Sequence, residues 1–371
     1  MKNRKHGEGS VSFDNTRKKW RAAFYDADDK RHYKRFDDEK SAREYLIEQI
    51  NDVNKGSFIA PSKLTVGEWS IEYLETYKRN SVKATTYAHY LDQARHLSEI
   101  ADILLQDVTA RQVNRLYVNL QDKLSLHTIH KTHKFLSSIF KKAYETELIK
   151  KNIMTTIPAP KYEKKEIEIF TREEIETILE ICKNHLVLNK RYPMFLLAVT
   201  TGMRLGEVLG LRWCDVDFKH MEVSIKYTLS YLAGRGIQLT SPKTKAAIRK
   251  ISIPIETVAE LKRLKSEVVD MNIDQSTLCF RTKNGTPLYP RNTDRAWRDL
   301  LRCANVPYRK FHALRHTHAT ELLAAGVPII EVSRRLGHSK ISHTLELYGH
   351  AIKGYDKGIA DKISNIYSIP K

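Results

Sequence analysis

A chain of 371 residues, 41% of them hydrophobic, can bury packed cores and on length alone should fold as two or three domains, which excludes a wholly disordered protein. Its 63 lysines and arginines against 44 acidic residues leave a net charge of +19. A cationic excess of this size exchanges for the counterions condensed on nucleic acid, making that the expected partner over anionic lipid or an uncommitted basic surface. No stretch approaches the ~20 apolar residues that cross a bilayer, and the densest apolar run, 192–203, reads as a core helix. The basic, polar start lacks the apolar run of a signal peptide. Cys182, Cys214, Cys279 and Cys303 are too scattered for a metal or redox pair. The expectation is a cytoplasmic protein with reduced thiols and no membrane partner.

Residues 1–55 read as a small three-stranded sheet backed by one helix. Val11 and Phe13 are followed by Trp20, Ala22 and Phe24, then the turn signal Asp26-Ala27-Asp28-Asp29 and a strand at 31–36. Acidic residues at 37–39 favour a helix N-terminus, and Ala42, Tyr45, Leu46 and Ile50 share one face of a helix at 41–51. The strands carry Arg17, Lys18, Lys19, Arg21, Arg31, Lys34 and Arg35. A twisted basic ribbon of this size can enter a DNA major groove; the plain alternative is a basic β surface.

Residues 56–63, with Gly56, Ser57 and Pro61, have linker composition. Helical periodicity then governs 64–157. Thr65 caps a helix with Trp69, Tyr73, Leu74 and Tyr77 in phase, and periodic segments at 83–100, 109–120 and 125–148 complete a bundle of about four helices. Lys83, Lys131 and Lys134 on its polar faces are candidates for phosphate contact, against the plain reading of solvated charge. A second linker covers 158–168, and one larger α-rich domain covers 169–371. It opens on a capping box, Thr171 with Glu174 three residues on. The alternating run 221–228, with 236–239 and 249–253, predicts one small antiparallel sheet; helices precede and follow it. The fold class expected is therefore multidomain and mainly α, with a small β-sheet unit at the start.

Three segments of that last domain carry chemistry. Thr200-Thr201-Gly202-Met203-Arg204-Leu205-Gly206-Glu207 puts an arginine behind a glycine turn at a helix start. There its guanidinium fork is aimed and suits a phosphodiester, although an Arg204–Glu207 pair at i, i+3 is also an ordinary ion pair. His312, Arg315 and His316 share one helical face, with Leu314 and Leu322 opposite. The two histidines stand at i, i+4 as in zinc proteases, but Ala313 occupies the place of that motif's glutamate, and no metal is expected. Finally Gly337 ends a helix and presents His338, and Tyr348 follows ten residues later. Alone, a late tyrosine or a histidine after a cap is usually structural.

Arg204, His312, Arg315, His338 and Tyr348, set in TGMRLGE, HALRHTHAT, LGHS and LYGH, together resemble the tyrosine recombinases, also called the phage integrase family. The resemblance covers roughly 168–371. The helical domain is similar, by position, to the family's core-site DNA-binding domain. Residues 1–55 resemble the arm-type DNA-binding domain of integrases from conjugative transposons and some Gram-positive phages. The family's hairpin lysine is matched best by Lys243 and next by Lys245.

The resemblance implies a site-specific recombinase, the integrase or excision enzyme of a mobile element. Tyr348 attacks the scissile phosphate and forms a 3′-phosphotyrosine. Arg204 and Arg315 clamp its oxygens, His312 and His338 hydrogen-bond to it, and Lys243 protonates the departing 5′ oxygen. His312 is also a candidate acceptor for the tyrosine proton; Glu207 and His316 stand behind the site in structural places, and His350 has no derivable role. No metal, ATP or other cofactor is implied. The implied partners are double-stranded DNA at core and arm sites, three further protomers in a tetramer that passes through a Holliday junction, and an excisionase or a host DNA-bending protein. An apolar C-terminal helix at 358–369 would dock on a neighbouring protomer or, alternatively, pack on its own domain. Rival readings are a type IB topoisomerase, a chromosome-dimer resolvase of the same family, whose members resemble only the two later domains, and a DNA-binding regulator without catalysis, against which all six reactive side chains argue.

Overall fold

The computed structural model describes residues 9–163, 167–232, 236–242, 245–267 and 276–348. The chain divides into two compact units, Met1–Lys164 and Lys165–Lys371.

The first unit opens with an antiparallel sheet of β1 (Ser10–Asp14), β2 (Lys19–Tyr25) and β3 (Arg31–Phe36), in the order β1-β2-β3. Helix α1 (Glu39–Asn54) follows, capped by the Asp38 carboxylate, which accepts from the Ser41 N–H at 2.8 Å. The register sets Trp20 opposite Phe36 and Phe24 opposite His32. That face is the one α1 covers, Tyr45 meeting both Phe24 and Phe36. Side chains alternate along a strand, so Lys19, Arg21, Arg31 and Arg35 fall together on the opposite face, with Tyr25 and Tyr33. Lys34 is out of phase with them, its ammonium 5.7 and 5.3 Å from the ring centres of Phe36 and Tyr45. Arg17 and Lys18 occupy the turn before β2. Phe58 packs on Phe24 and His32, so the segment with linker composition contributes to this small core.

Helices α2 (Val66–Tyr73), α3 (Ala84–Arg95), α4 (Ala110–Gln121) and α5 (Leu126–Glu145) form the bundle, α2 running on into a π turn, Leu74–Lys78. Capping boxes at Thr65/Glu68 and Thr109/Gln112, and Ser125 before α5, begin them where the sequence expects. Trp69, Leu116, Phe135 and Ile139 are buried between them, and the Trp69 Nε1–H donates to the Ile139 carbonyl at 3.0 Å. Lys83, Lys131 and Lys134 remain exposed.

The second unit contains α6 (Arg172–Asn184), α7 (Tyr192–Thr201), α8 (Leu205–Leu209), β4 (Val216–Asp217), β5 (Glu222–Ile225), β6 (Thr228–Leu232), β7 (Gly236–Thr240), β8 (Arg249–Ser252), α9 (Ile255–Ser266), α10 (Pro290–Cys303), α11 (Ala313–Ala324), α12 (Ile329–Leu336) and α13 (Ile341–Tyr348). Helix α7 is buried over Pro193, Met194, Phe195, Leu196, Leu197 and Ala198, and Phe195 packs on Trp297 and Phe311. The alternation predicts one sheet; the structure has two among the described residues, β4-β5-β8 and the ribbon β6-β7. The strand breaks at Lys226 and Tyr227. Lys226 reaches the buried Asp215 at 2.9 Å, and Tyr227 lies 4.2 Å beneath the Arg212 guanidinium, so both are drawn to the loop before β4 and the chain leaves the first sheet. The four cysteines are free, and among the described residues no helix is long and apolar enough to cross a membrane.

Candidate active site

Gly202 ends α7 in the left-handed conformation, φ +64, and turns the chain into Arg204, which precedes α8. One turn later Glu207, 2% exposed, accepts from the Arg204 N–H at 3.0 Å and from its Nη1 at 2.8 Å. Its carboxylate also receives Nη1 and Nη2 of Arg249 at 3.2 and 3.0 Å. Burial by itself would raise the Glu207 pKa; the Arg249 and Arg204 guanidiniums outweigh it and hold the carboxyl at about 2. The Arg204 side chain keeps 38% of its surface open, so it can still meet an anion.

Arg249 is a site residue that motif reading misses. Besides Glu207 it donates from Nε to the Arg335 carbonyl at 2.6 Å and from Nη1 to the Ala247 carbonyl at 3.1 Å. It thereby ties the Arg204 turn to the end of α12, where Gly337, φ +69, releases the chain to His338. A signal was present in the sequence: Arg249 has the strand phase of the buried Ile251 and Ile253, and an arginine on a core face needs a buried anion. A Cβ on Gly337 would lie 2.9 Å from Arg249 Nη1 and 3.0 Å from its Cδ. Gly337→Ala is accordingly expected to destabilise the protein by about 1–3 kcal/mol, read as a lowered urea midpoint, and to slow any reaction that uses His338.

Arg315 on α11 is 2% exposed. Its Nη1 donates to the Gly202 carbonyl at 2.9 Å and its Nη2 to the Leu336 carbonyl at 2.6 Å, so it bonds both turns that lead to Arg204 and His338. Carbonyls neutralise none of its charge. Burial, then the nearby Arg204, lowers its pKa to about 9, the mark of a cation placed where an anion is wanted. His338 pairs through Nδ1 with Thr344 Oγ1 at 2.7 Å.

His312 precedes α11 with an exposed edge, and its ring stands edge-on to His316 at 4.7 Å. Loss of water around that ring, with the charges of His316, Arg315 and Arg204, brings its pKa down to about 4. Tyr348, at the end of α13, is 1% exposed, and its hydroxyl lies 2.6 Å from His316 Nδ1. Burial raises the Tyr348 pKa to about 12, while Arg315 and Arg204 act in the opposite direction. The oxygen is thus within the field of both arginines.

Behind these residues His318 carries its proton on Nδ1, which donates to the Val199 carbonyl at 2.9 Å, because its Nε2 accepts from Arg335 Nε at 3.1 Å. Arg335 also donates to the Thr200 carbonyl at 2.9 Å. Burial, then Arg335, lowers the His318 pKa from 6.5 to about 4. The unfolded chain therefore binds this proton first: the contribution to stability is full above pH 6.5 and is lost as pH falls from 6.5 to 4. It amounts to on the order of 3 kcal/mol. His318→Gln, which keeps an acceptor for Arg335, should make that part of the curve shallower when urea unfolding is compared at pH 7.5 and 5, leaving the share of His312, whose pKa falls over the same window.

Arg204, Glu207, Thr228, Gly337, His338 and Lys340 line a cleft of about 550 Å³. Pro242 and Ala247 line it as well. Lys243, His350 and the segment 358–369 lie outside the described residues, as does the side chain of Lys245. The basic candidates Arg17, Lys18, Lys19, Arg21, Arg31, Lys34, Arg35, Lys83, Lys131 and Lys134 belong to the other unit. What the site can do follows from its charges: the Arg204 and Arg315 guanidiniums act on the Tyr348 oxygen, which lies within hydrogen-bond distance of His316, and such a pair of cations fits a phosphodiester anion.

The sequence profile of the Phage integrase family matches residues 168–354, and that of the phage integrase SAM-like domain matches 65–163. A protein described as "Tyrosine recombinase XerC-like" from Caldanaerobacter subterraneus subsp. tengcongensis is 32% identical over 355 residues, which cover 88% of this chain and 90% of that protein. The ICEBs1 integrase of Bacillus subtilis is 26% identical over 71% of this chain and 72% of its own. Among solved structures, the Tn1549 transposon integrase in complex with a circular intermediate DNA shares the fold, with a TM-score of 0.70 at 22% identity, over 81% of this chain and 99% of that one.

Proposed function

Because the chain belongs to the phage integrase family, the tyrosine recombinases, we propose that it is the integrase of a mobile element, a conjugative transposon or prophage, and that Tyr348 is its nucleophile. The observation that carries the reading is that the Tyr348 oxygen lies 2.6 Å from His316 and in the field of Arg204 and Arg315. Tyr348 Oη attacks the scissile phosphorus, the bond to the 5′ oxygen breaks, and a 3′-phosphotyrosine holds the cut strand. Arg204 and Arg315 stabilise the charge that builds on the non-bridging oxygens, and His312 and His338 hydrogen-bond to the same group. Lys243 protonates the leaving 5′ oxygen, Lys245 being the next choice. The phosphodiester's energy stays in the covalent link, so religation needs neither ATP nor metal.

Residues 169–371 are the catalytic domain, 64–157 bind the core site with Lys83, Lys131 and Lys134 on phosphates, 158–168 are a linker, and 56–63 connect the first two domains while lending Phe58 to the N-terminal core. Residues 1–55 bind arm sites through the Lys19, Arg21, Arg31 and Arg35 face. Four protomers on duplex DNA in the bacterial cytoplasm exchange strands through a Holliday junction, with an excisionase or host bending protein setting direction.

Full-length protein, incubated with chelator and a core-site duplex nicked beside the scissile phosphate, is expected to become covalently attached to DNA; failure to attach at the correct site would contradict the reading. The XerC-like relative favours a second reading, a chromosome-dimer resolvase, which needs core sites alone. Lys19→Ala with Arg31→Ala separates the two: an integrase should lose recombination of full attachment sites while still cutting core duplexes, and a resolvase should lose neither.

A further inference from the structure

We infer that His316, rather than His312, takes the Tyr348 proton during strand cleavage and returns it during religation. The inference rests on Tyr348 being the nucleophile. A proton acceptor must stand within about 2.6–3.2 Å of its donor, and His316 Nδ1 already lies 2.6 Å from Tyr348 Oη, the two rings 5.6 Å apart and tilted.

The surroundings support the assignment. Burial pushes the Tyr348 hydroxyl up to about 12, so little tyrosinate exists at neutral pH without an acceptor. The His312 ring, held at about 4, is a weak base at neutral pH, and being neutral it does not oppose a charge on His316. The charged groups that act on Tyr348 are Arg315 on α11 and Arg204 at the start of α8; Glu207 and Arg249 act in turn on Arg315, and the His312 ring stands edge-on to His316. Arg315 opposes a second cation beside it. A bound phosphodiester, gaining negative charge in the transition state against Arg204 and Arg315, removes that opposition. Proton acceptance is thereby coupled to DNA binding.

The step balances. With Nε2 carrying the ring proton, the Oη–H bond breaks toward His316 Nδ1, the Oη–P bond forms, and the P–O5′ bond breaks, O5′ taking its proton from the separate acid, Lys243. In religation the 5′ hydroxyl returns a proton to that acid, attacks phosphorus, and Tyr348 Oη leaves with the proton from His316.

H316N puts an amide near the place of Nδ1; it can accept the hydroxyl's hydrogen bond but not its proton. Single-turnover cleavage of the nicked core-site duplex by full-length H316N should be about 100-fold slower at neutral pH. The acid limb of the wild-type pH–rate profile should disappear while DNA affinity by gel shift stays unchanged; H316Q serves if H316N binds DNA poorly. The inference is overturned if the variant cleaves within about threefold of wild type, if it cleaves slowly with the acid limb intact, which would mean position alone matters, or if it cleaves faster, which would make the bond a restraint. Tyr348→Phe run in parallel keeps the two readings apart. Cleavage by that variant removes the nucleophile and this inference with it, whereas an inactive Tyr348→Phe beside a normal H316N removes this inference alone.

Discussion

Tyr348→Phe is expected to reduce covalent attachment to nicked core-site DNA by on the order of 10⁵-fold or more, the scale on which loss of a nucleophile acts. The substitution removes one oxygen and little else. Phenylalanine fits a position that is 1% exposed, and the hydrogen bond to His316 that it forfeits is worth about 1 kcal/mol. Urea unfolding should show a small shift, and gel-shift affinity should remain within about threefold, because Arg204 and Arg315 keep their places. Denaturing gels with labelled DNA read the adduct directly. An inactive variant that is folded and binds DNA places the defect in chemistry; a variant that fails to bind would assign Tyr348 to recognition.

Glu207→Ala should give the largest loss of stability. The carboxylate is buried and holds two guanidiniums, Arg204 and Arg249; removing it leaves two cations facing each other without a counter-charge. Breaking a buried pair in this way costs on the order of 3–5 kcal/mol. Cleavage should fall too, since Arg204 loses its anchor and Arg249, bonded to the Arg335 carbonyl, loses its hold on the turn that presents His338. The pH dependence has a definite sign. The folded pKa of Glu207, about 2, lies below the ordinary 4.5, so its contribution is full above pH 4.5 and is lost as pH falls toward 2. That contribution is on the order of 3 kcal/mol. Glu207→Gln should remove its share of this acid limb while leaving the one between pH 6.5 and 4 that His318 and His312 produce, a difference visible in unfolding midpoints taken across both windows.

What was legible in the sequence follows from how locally each feature is determined. Helix starts at Thr65, Thr109, Ser125 and Thr171 could be read because a cap and its partner lie within one turn. The N-terminal sheet could be read because alternation and an acidic turn are local signals; the same alternation tells why Lys34 leaves the basic face. Arg204 and His338 stood out because Gly202 and Gly337 punctuate the chain just before them.

Other features depend on partners far along the chain. Glu207 and Arg249 are 42 residues apart, His318 and Val199 are 119, and Arg335 and Thr200 are 135; no local pattern announces such pairs. Only the strand phase of Arg249 hinted at its burial. The split of one expected sheet into two has the same origin, because side chains at Lys226 and Tyr227 answer to Asp215 and Arg212 rather than to the strand. His316 reads from sequence as structural support, and its contact with Tyr348 needs the packing of α13 on α11 to bring the two rings together.

Strand cleavage by this chain should leave DNA joined to Tyr348. Protease digestion of the trapped adduct, nuclease trimming and mass spectrometry of the nucleotide-bearing peptide test it most directly. The expected result is one peptide ending the α13 segment, carrying a nucleotide through its 3′ phosphate on Tyr348; a nucleotide on another residue, or one attached through a 5′ phosphate, would contradict it.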